Sequence, residues 1–114
     1  MMEKLTFYRQ CIQSMFNDYV HVKPANLQDV ENQLIMDTER NHYQFVSIGW
    51  DKTAFSYAVI YHFDIKPDGK IWIQANNTDR DVAEELEQMG VPKSDIVIGF
   101  QPPQYRPYTG YAVA

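Results

Sequence analysis

"DIKPDGKIWIQAN", residues 64–76, reads as two half-strands joined by a tight turn. Pro67 pre-sets the first central position of a type I turn, Asp68 suits the second, and Gly69 supplies the left-handed residue that follows. This three-residue loop with a glycine bulge sets a pairing of Ile65 with Ile71, Phe63 with Ile73 and Tyr61 with Ala75. Those six side chains form one apolar face. Asp64 with Trp72 and His62 with Gln74 form the other. A one-residue slip exchanges the faces, so the apolar alternation holds the register.

Upstream of this hairpin's first arm, two more strands are expected. Phe55–Ile65 is the third strand of the sheet, and "HYQFVSIGW", residues 42–50, is the second. Its apolar positions switch parity between Phe45 and Val46, which points to a bulge or to cover on both faces. Val30, Leu34 and Met36 alternate with Glu31, Gln33 and Asp37 and mark the first strand. "DTERN" (37–41) and "DKTA" (51–54) have turn chemistry. A helix is expected from Glu3 to Val22, with Leu5, Tyr8, Ile12, Met15, Phe16 and Tyr19 on its apolar face and Cys11 at the edge of that face. Pro24 ends it, and "KPANLQD" (23–29) is a loop.

Downstream, the fourth strand runs from Lys70 to Ala75. Thr78 is the expected N-cap of a second helix, with Asp81 three residues on. Val82, Ala83, Leu86 and Met89 make its buried stripe; Gly90 and Pro92 stop it. Asp95–Phe100 is a short strand or extended segment. The tail, "QPPQYRPYTGYAVA" (101–114), is too aromatic for disorder, so it should dock on the fold or on another chain. The expected fold is a single α+β domain, residues 1–114. It has an N-terminal helix, a four-stranded mainly antiparallel meander, a second helix, a short strand and an ordered C-terminal tail.

Composition narrows the function. The formal net charge is −5, and the ten Lys and Arg residues are scattered, which disfavours independent binding to a phosphate backbone. One cysteine, Cys11, excludes an internal disulfide and a cysteine-based zinc cluster. No apolar run approaches the roughly 20 residues of a membrane span. The N-terminus lacks the apolar core of a signal peptide, so a cytoplasmic protein without membrane contact is expected.

His42, His62 and Asp64, with Asp37, are candidates for a metal site on one sheet face. They lack a recognised ligand spacing, and sheet histidines bonded to neighbours are commoner, so no metal or cofactor is assigned. Asp64-Ile65-Lys66 offers a carboxylate and an amine on one strand face, as in some magnesium nucleases, with Asp37 as a second carboxylate. The spacing is short, and a solvated lysine at a hairpin is ordinary. Cys11 has no activating histidine, G-x-S-x-G is absent, and the five glycines are dispersed. Trp50, Trp72 and the tyrosines suggest a contact surface. On an acidic chain, a protein interface is favoured over stacked bases; the alternative is that Trp72 packs under a helix.

Three segments carry a resemblance: "DTERNHYQFVSIGW" (37–50), "GKIWIQANNTD" (69–79) and "GVPKSDIVIGFQPPQYRPYTGYAVA" (90–114). They resemble the XisI-type proteins, the fdxN-element excision controlling factors of cyanobacteria. The resemblance runs over nearly the whole chain. It includes Asp37, Arg40, His42, Tyr43, Gln44, Gly49 and Trp50 in order, then His62 and Asp64, then Gly69 to Gln74. Two departures stand out. The family usually has Thr-Glu where this chain has Thr78-Asp79, and often an arginine shortly after Gly-Trp, where this chain reads "DKTA".

The resemblance implies control of site-specific recombination that removes a DNA element, with a companion XisH-like protein and a recombinase performing the strand chemistry. It carries over no catalytic residues. The expectation is therefore a non-enzymatic accessory factor acting through protein contacts, with nucleic acid engaged only indirectly, and a homo-oligomer. Its candidate interaction surface comprises Asp37, Arg40, His42, Trp50, His62, Asp64, Trp72, Gln74, Tyr105, Arg106 and Tyr108. The alternatives are a metal-dependent nuclease or nucleic-acid-processing subunit using Asp37, His62 and Asp64, and a direct DNA-binding regulator.

Overall fold

The Lys66–Lys70 turn closes as its residues dictate. The Gly69 amide donates to Lys66 O at 2.8 Å and the Lys66 amide to Lys70 O at 3.0 Å, with Gly69 at φ 89°. These are features of a computed structural model, which describes residues 3–21 and 29–114. The first helix ends at Tyr19 with Val20 as its C-cap, three residues before the expected end at Val22, while Pro24 and most of the following loop lie outside the described residues.

Around the turn the chain forms α1 (Lys4–Tyr19), β1 (Val30–Asp37), β2 (His42–Asp51), β3 (Ala54–Ile65), β4 (Ile71–Asn76), α2 (Val82–Gln88) and β5 (Ile96–Ile98). Single 3-10 turns cover Lys93–Asp95 and Arg106–Tyr108. The first four strands form the expected antiparallel meander, and β5 joins the same sheet parallel to β4, giving the order β1-β2-β3-β4-β5. A parallel neighbour needs a crossover, and α2 supplies it. The sheet therefore has five strands, because Ile96, Val97 and Ile98 pair with Ile71, Trp72 and Ile73.

The turn sets the pairing near it: Ile65 faces Ile71, Asp64 faces Trp72 and Phe63 faces Ile73. Further along, the expected register is corrected. His62 faces Ala75 and Tyr61 faces Asn76, because Gln74 is an extra residue at a bulge. The bulge keeps the Gln74 amide beside Asp64, 3.2 Å from its Oδ2. The break expected near Phe45 and Val46 is present as a register shift there, with the extra residue, Ile60, supplied by β3.

Both helices contribute to one core with one face of the sheet. Tyr8, Ile12, Met15 and Phe16 of α1 and Val82, Ala83 and Leu86 of α2 cluster with Tyr43, Phe45, Tyr61, Phe63, Ile71 and Ile73. Phe16 stacks on Tyr61 with ring centroids 5.6 Å apart and packs edge-on to Phe45. Cys11 is buried in this core rather than at its edge. The start of α2 also differs from expectation. Asp81, not Thr78, is the N-cap, and its carboxylate accepts from the Glu84 amide at 3.1 Å. Thr78 is held in the preceding turn, where its hydroxyl donates to Asn76 Oδ1 at 2.7 Å and accepts from the Arg80 amide. The helix ends as expected: the Gly90 amide bonds to Glu87 O and the Val91 amide to Leu86 O, with Gly90 at φ 110°.

The tail docks on the fold. The Ala112 amide donates to Ile96 O at 2.8 Å, and the Tyr111 hydroxyl donates to Glu87 Oε2 at 2.6 Å. Among the described residues, no helix is long and apolar enough to cross a membrane.

Candidate functional site

The face of the sheet opposite the helices carries the candidate residues. Register places Asp37 opposite His42, His42 opposite Asp64, and Asp64 opposite Trp72. One row thus crosses four strands on a single face. Gln44, two residues from His42, lies opposite His62 in the next row.

Asp64 is the centre of this arrangement. Its Oδ1 lies 2.8 Å from His42 Nδ1 and 2.9 Å from His62 Nε2, and its Oδ2 accepts from Gln74 Nε2. Burial pushes the carboxyl upward, but the bonds from His42, His62 and Gln74 outweigh it and hold Asp64 below the ordinary carboxylate range. Gln44 Nε2 lies 3.1 Å from His62 Nδ1. With that amide donating, Nδ1 accepts and the His62 proton sits on Nε2, facing Asp64. Gln44 is absent from the sequence-derived candidates; its i+2 spacing from His42 on a strand is the signal that finds it.

Asp37 does not join this cluster. Its Oδ1 accepts from the Glu39 and Arg40 amides at 3.0 Å each, and Arg40 Nη1 lies 3.3 Å from its Oδ2. The Arg40 amide, together with the other bonds of this turn, lowers its carboxyl below the usual value. The carboxylate is used to shape the β1–β2 turn. Lys66 Nζ lies 5.2 Å from the Trp72 ring centroid, and among the described residues no ion pair joins it to Asp64.

Trp72 packs under neither helix. The tail crosses it, with the Arg106 guanidinium over the indole, and Arg106 Nε donates to Gln101 O at 3.0 Å. Tyr105 and Tyr108 stay exposed on the outer side of the tail.

Trp50 lies apart from these residues, at the far end of the β2–β3 hairpin. It packs edge-on against Phe55 with ring centroids 5.3 Å apart. Trp50, Phe55 and Tyr57 are 57%, 54% and 61% exposed. Phe55 escaped the sequence reading, and Tyr57 entered it only among the tyrosines at large, because an aromatic residue in a strand reads first as core. β4 pairs with β3 only over Tyr61–Ile65, so among the described residues no strand covers the far side of β3 from Ala54 to Val59. Asn77 closes the upper end of that edge, its amide bonding to Ile60 O and its side chain to Val59 O. The stretch Ala54–Ile60 contains no charged residue and no proline.

Fold and surface define a small helix-and-sheet domain with two distinct exposed features, a His–Asp–Gln cluster and an open aromatic strand edge. The family described as "XisI protein" matches residues 2–113, and the chain belongs to that family. It is similar to the crystal structure of a XisI-like protein from Anabaena variabilis, with 51% identity over 96% of this chain and 99% of that one and a TM-score of 0.87. It is also similar to the fdxN element excision controlling factor XisI of the same organism, at 33% identity over 98% and 100% of the two chains and a TM-score of 0.83. No curated protein matches.

Proposed function

We propose that this protein is a non-enzymatic accessory factor in the control of DNA element excision, and that it acts by holding a protein partner on the open edge of β3. The partner is a companion XisH-like protein. The observation that carries this reading is the edge of β3 from Ala54 to Val59, before the bulge at Ile60, which no strand among the described residues covers. Soluble proteins protect exposed strand edges with lysine, proline, bulges or inward-pointing charge. The Ala54–Ile60 stretch has no charge and no proline, and it presents Phe55 and Tyr57 beside Trp50. Such an edge suits strand addition, in which main-chain bonds supply affinity and alternate side chains supply specificity. The net charge of −5 supports indirect rather than direct contact with DNA.

The test is co-purification with the companion protein, with and without element DNA. Capture by the native chain and its loss in Tyr57→Lys support the reading. Equal capture by both chains, or DNA binding by the isolated chain that weakens steeply with salt, overturns it. A second copy of the chain suits the same edge, since a neutral strand is complementary to itself. Analytical ultracentrifugation of native and Tyr57→Lys chains measures that homo-oligomer.

A further inference from the structure

The cluster around Asp64 is separate from the β3 edge and has a chemistry of its own. His42, His62 and Asp64 each offer one ligand atom, and the three atoms lie within 4.8 Å of one another. Both imidazoles converge on the same carboxylate oxygen, His42 Nδ1 at 2.8 Å and His62 Nε2 at 2.9 Å, while the other oxygen accepts from the Gln74 amide. Two ring nitrogens and one carboxylate oxygen thus stand close enough together to meet a single positive centre.

We propose that His42, His62 and Asp64 bind a divalent transition-metal cation of the zinc type. Two imidazoles and one carboxylate suit such an ion, with bonds of about 2.0–2.2 Å. Tetrahedral ligand atoms at that bond length stand about 3.3 Å apart, so each nitrogen–oxygen separation widens by about half an ångström to admit the ion. The supports of a metal site are also present. A ligating histidine is oriented by a bond to its other ring nitrogen. With the cation on Nε2 the His62 proton moves to Nδ1 and donates to Gln44 Oε1 once that amide turns over, while Gln74 holds Asp64 Oδ2. The Asp64 side chain is 11% exposed and that of His42 54%, so the site has a fixed floor and an open rim. The remaining coordination positions face solvent and take water.

The experiment is zinc titration of the untagged full-length chain by calorimetry, with cobalt absorption as a report on coordination. One equivalent should bind at micromolar affinity or tighter. His42→Gln and His62→Gln should each weaken it at least tenfold, while His21→Gln, outside the cluster, should leave it unchanged. His42 is exposed and outside the core, so His42→Gln tests the site even if changes at the buried Asp64 impair folding. Absence of binding by the native chain, or affinity unchanged in both cluster variants, overturns the assignment. Partner capture measured in chelator is independent of this outcome, so failure here is distinct from failure of the accessory-factor reading.

Discussion

Arg106 lies over the indole of Trp72, its guanidinium carbon 4.9 Å from the ring centroid, and joins the C-terminal tail to the middle of the sheet. Lys66 approaches the same ring, its Nζ 5.2 Å from the centroid, so the indole is a shared platform for two cations. Its Nε1 is buried and has no acceptor among the described residues. The ring's value is therefore in its area and its π-face, not in its N–H. Trp72→Phe should keep stability within about 1 kcal/mol, because it retains an aromatic face and removes an unsatisfied donor. Trp72→Ala should cost about 2–4 kcal/mol and raise hydrogen exchange across residues 100–114. Urea denaturation together with exchange mass spectrometry checks both, and equal behaviour of the two variants contradicts the platform.

Two glycines sit where a side chain has no room. A Cβ on Gly49 would lie 2.4 Å from Asp29 O and 2.9 Å from Val30 Cα, and its φ is 151°. Those neighbours are backbone, so no rotamer change relieves the clash. A Cβ on Gly99 would meet Gln74 Oε1 at 2.5 Å and Trp72 Cε3 at 3.1 Å. The first of these is the end of a flexible side chain and can yield. Gly49→Ala should therefore destabilise by about 2–4 kcal/mol and Gly99→Ala by about 1–2 kcal/mol. Thermal denaturation of the two variants gives the order, and a reversed order refutes the distinction.

These contacts show what was legible in the sequence and what was not. The Pro67-Asp68-Gly69 turn, the meander and the α2 stop at Gly90 follow from local chemistry, and all are present. The bulge at Gln74 was hidden, because Ile71, Ile73 and Ala75 keep alternating past the point where pairing shifts. The cap of α2 went to Asp81 because Thr78 and Asp81 are both good caps, and the turn at Asn76 takes up the Thr78 hydroxyl. Four members of the polar cluster, His42, His62, Asp64 and Gln74, were readable as sharing one sheet face. Asp37 was wrongly joined to them, since a turn aspartate is consumed by its own backbone amides. The Arg106–Trp72 contact spans 34 positions of sequence and depends on β5 joining the sheet, which no local pattern specifies.

Asp95 ties the segment before β5 to α1. It accepts from the Tyr8 hydroxyl and lies 2.9 Å from Lys4 Nζ. Burial raises its carboxyl, but the bonds from Lys4 and Tyr8 prevail and hold it below the ordinary value. A folded-state pKa below the unfolded value of about 3.9 gives a contribution complete above about pH 4 and lost as pH falls through the folded value. Tyr8 has the opposite sign. Burial first, then Asp95, pushes its phenol up, so its contribution is complete below about pH 10 and lost as pH rises beyond. Asp95→Asn should cost about 1–2 kcal/mol at neutral pH and flatten the acid limb of the stability profile. Tyr8→Phe should flatten the alkaline limb. Denaturant midpoints measured across pH check the signs, and parallel profiles for native and variant chains exclude the linkage.

The open edge of β3 gives the sharpest separation between stability and partner binding. Trp50, Phe55 and Tyr57 lie at the end of the hairpin beyond the reach of β4, and none belongs to the buried core. Exposed substitutions away from core, caps and networks usually change stability by no more than about 0.5 kcal/mol. Tyr57→Lys should therefore leave the denaturation midpoint nearly unchanged while placing a guarding charge on the edge. Phe55→Ser should act similarly by removing the ring that packs edge-on against Trp50. If the edge receives a partner strand, either change should weaken capture at least tenfold, a loss of about 1.4 kcal/mol. Arg40→Ala, at the opposite end of β2, serves as a control and should bind as the native chain does. A pull-down series in which Arg40→Ala fails and Tyr57→Lys succeeds would move the docking surface to the β1–β2 turn and remove the edge from the account.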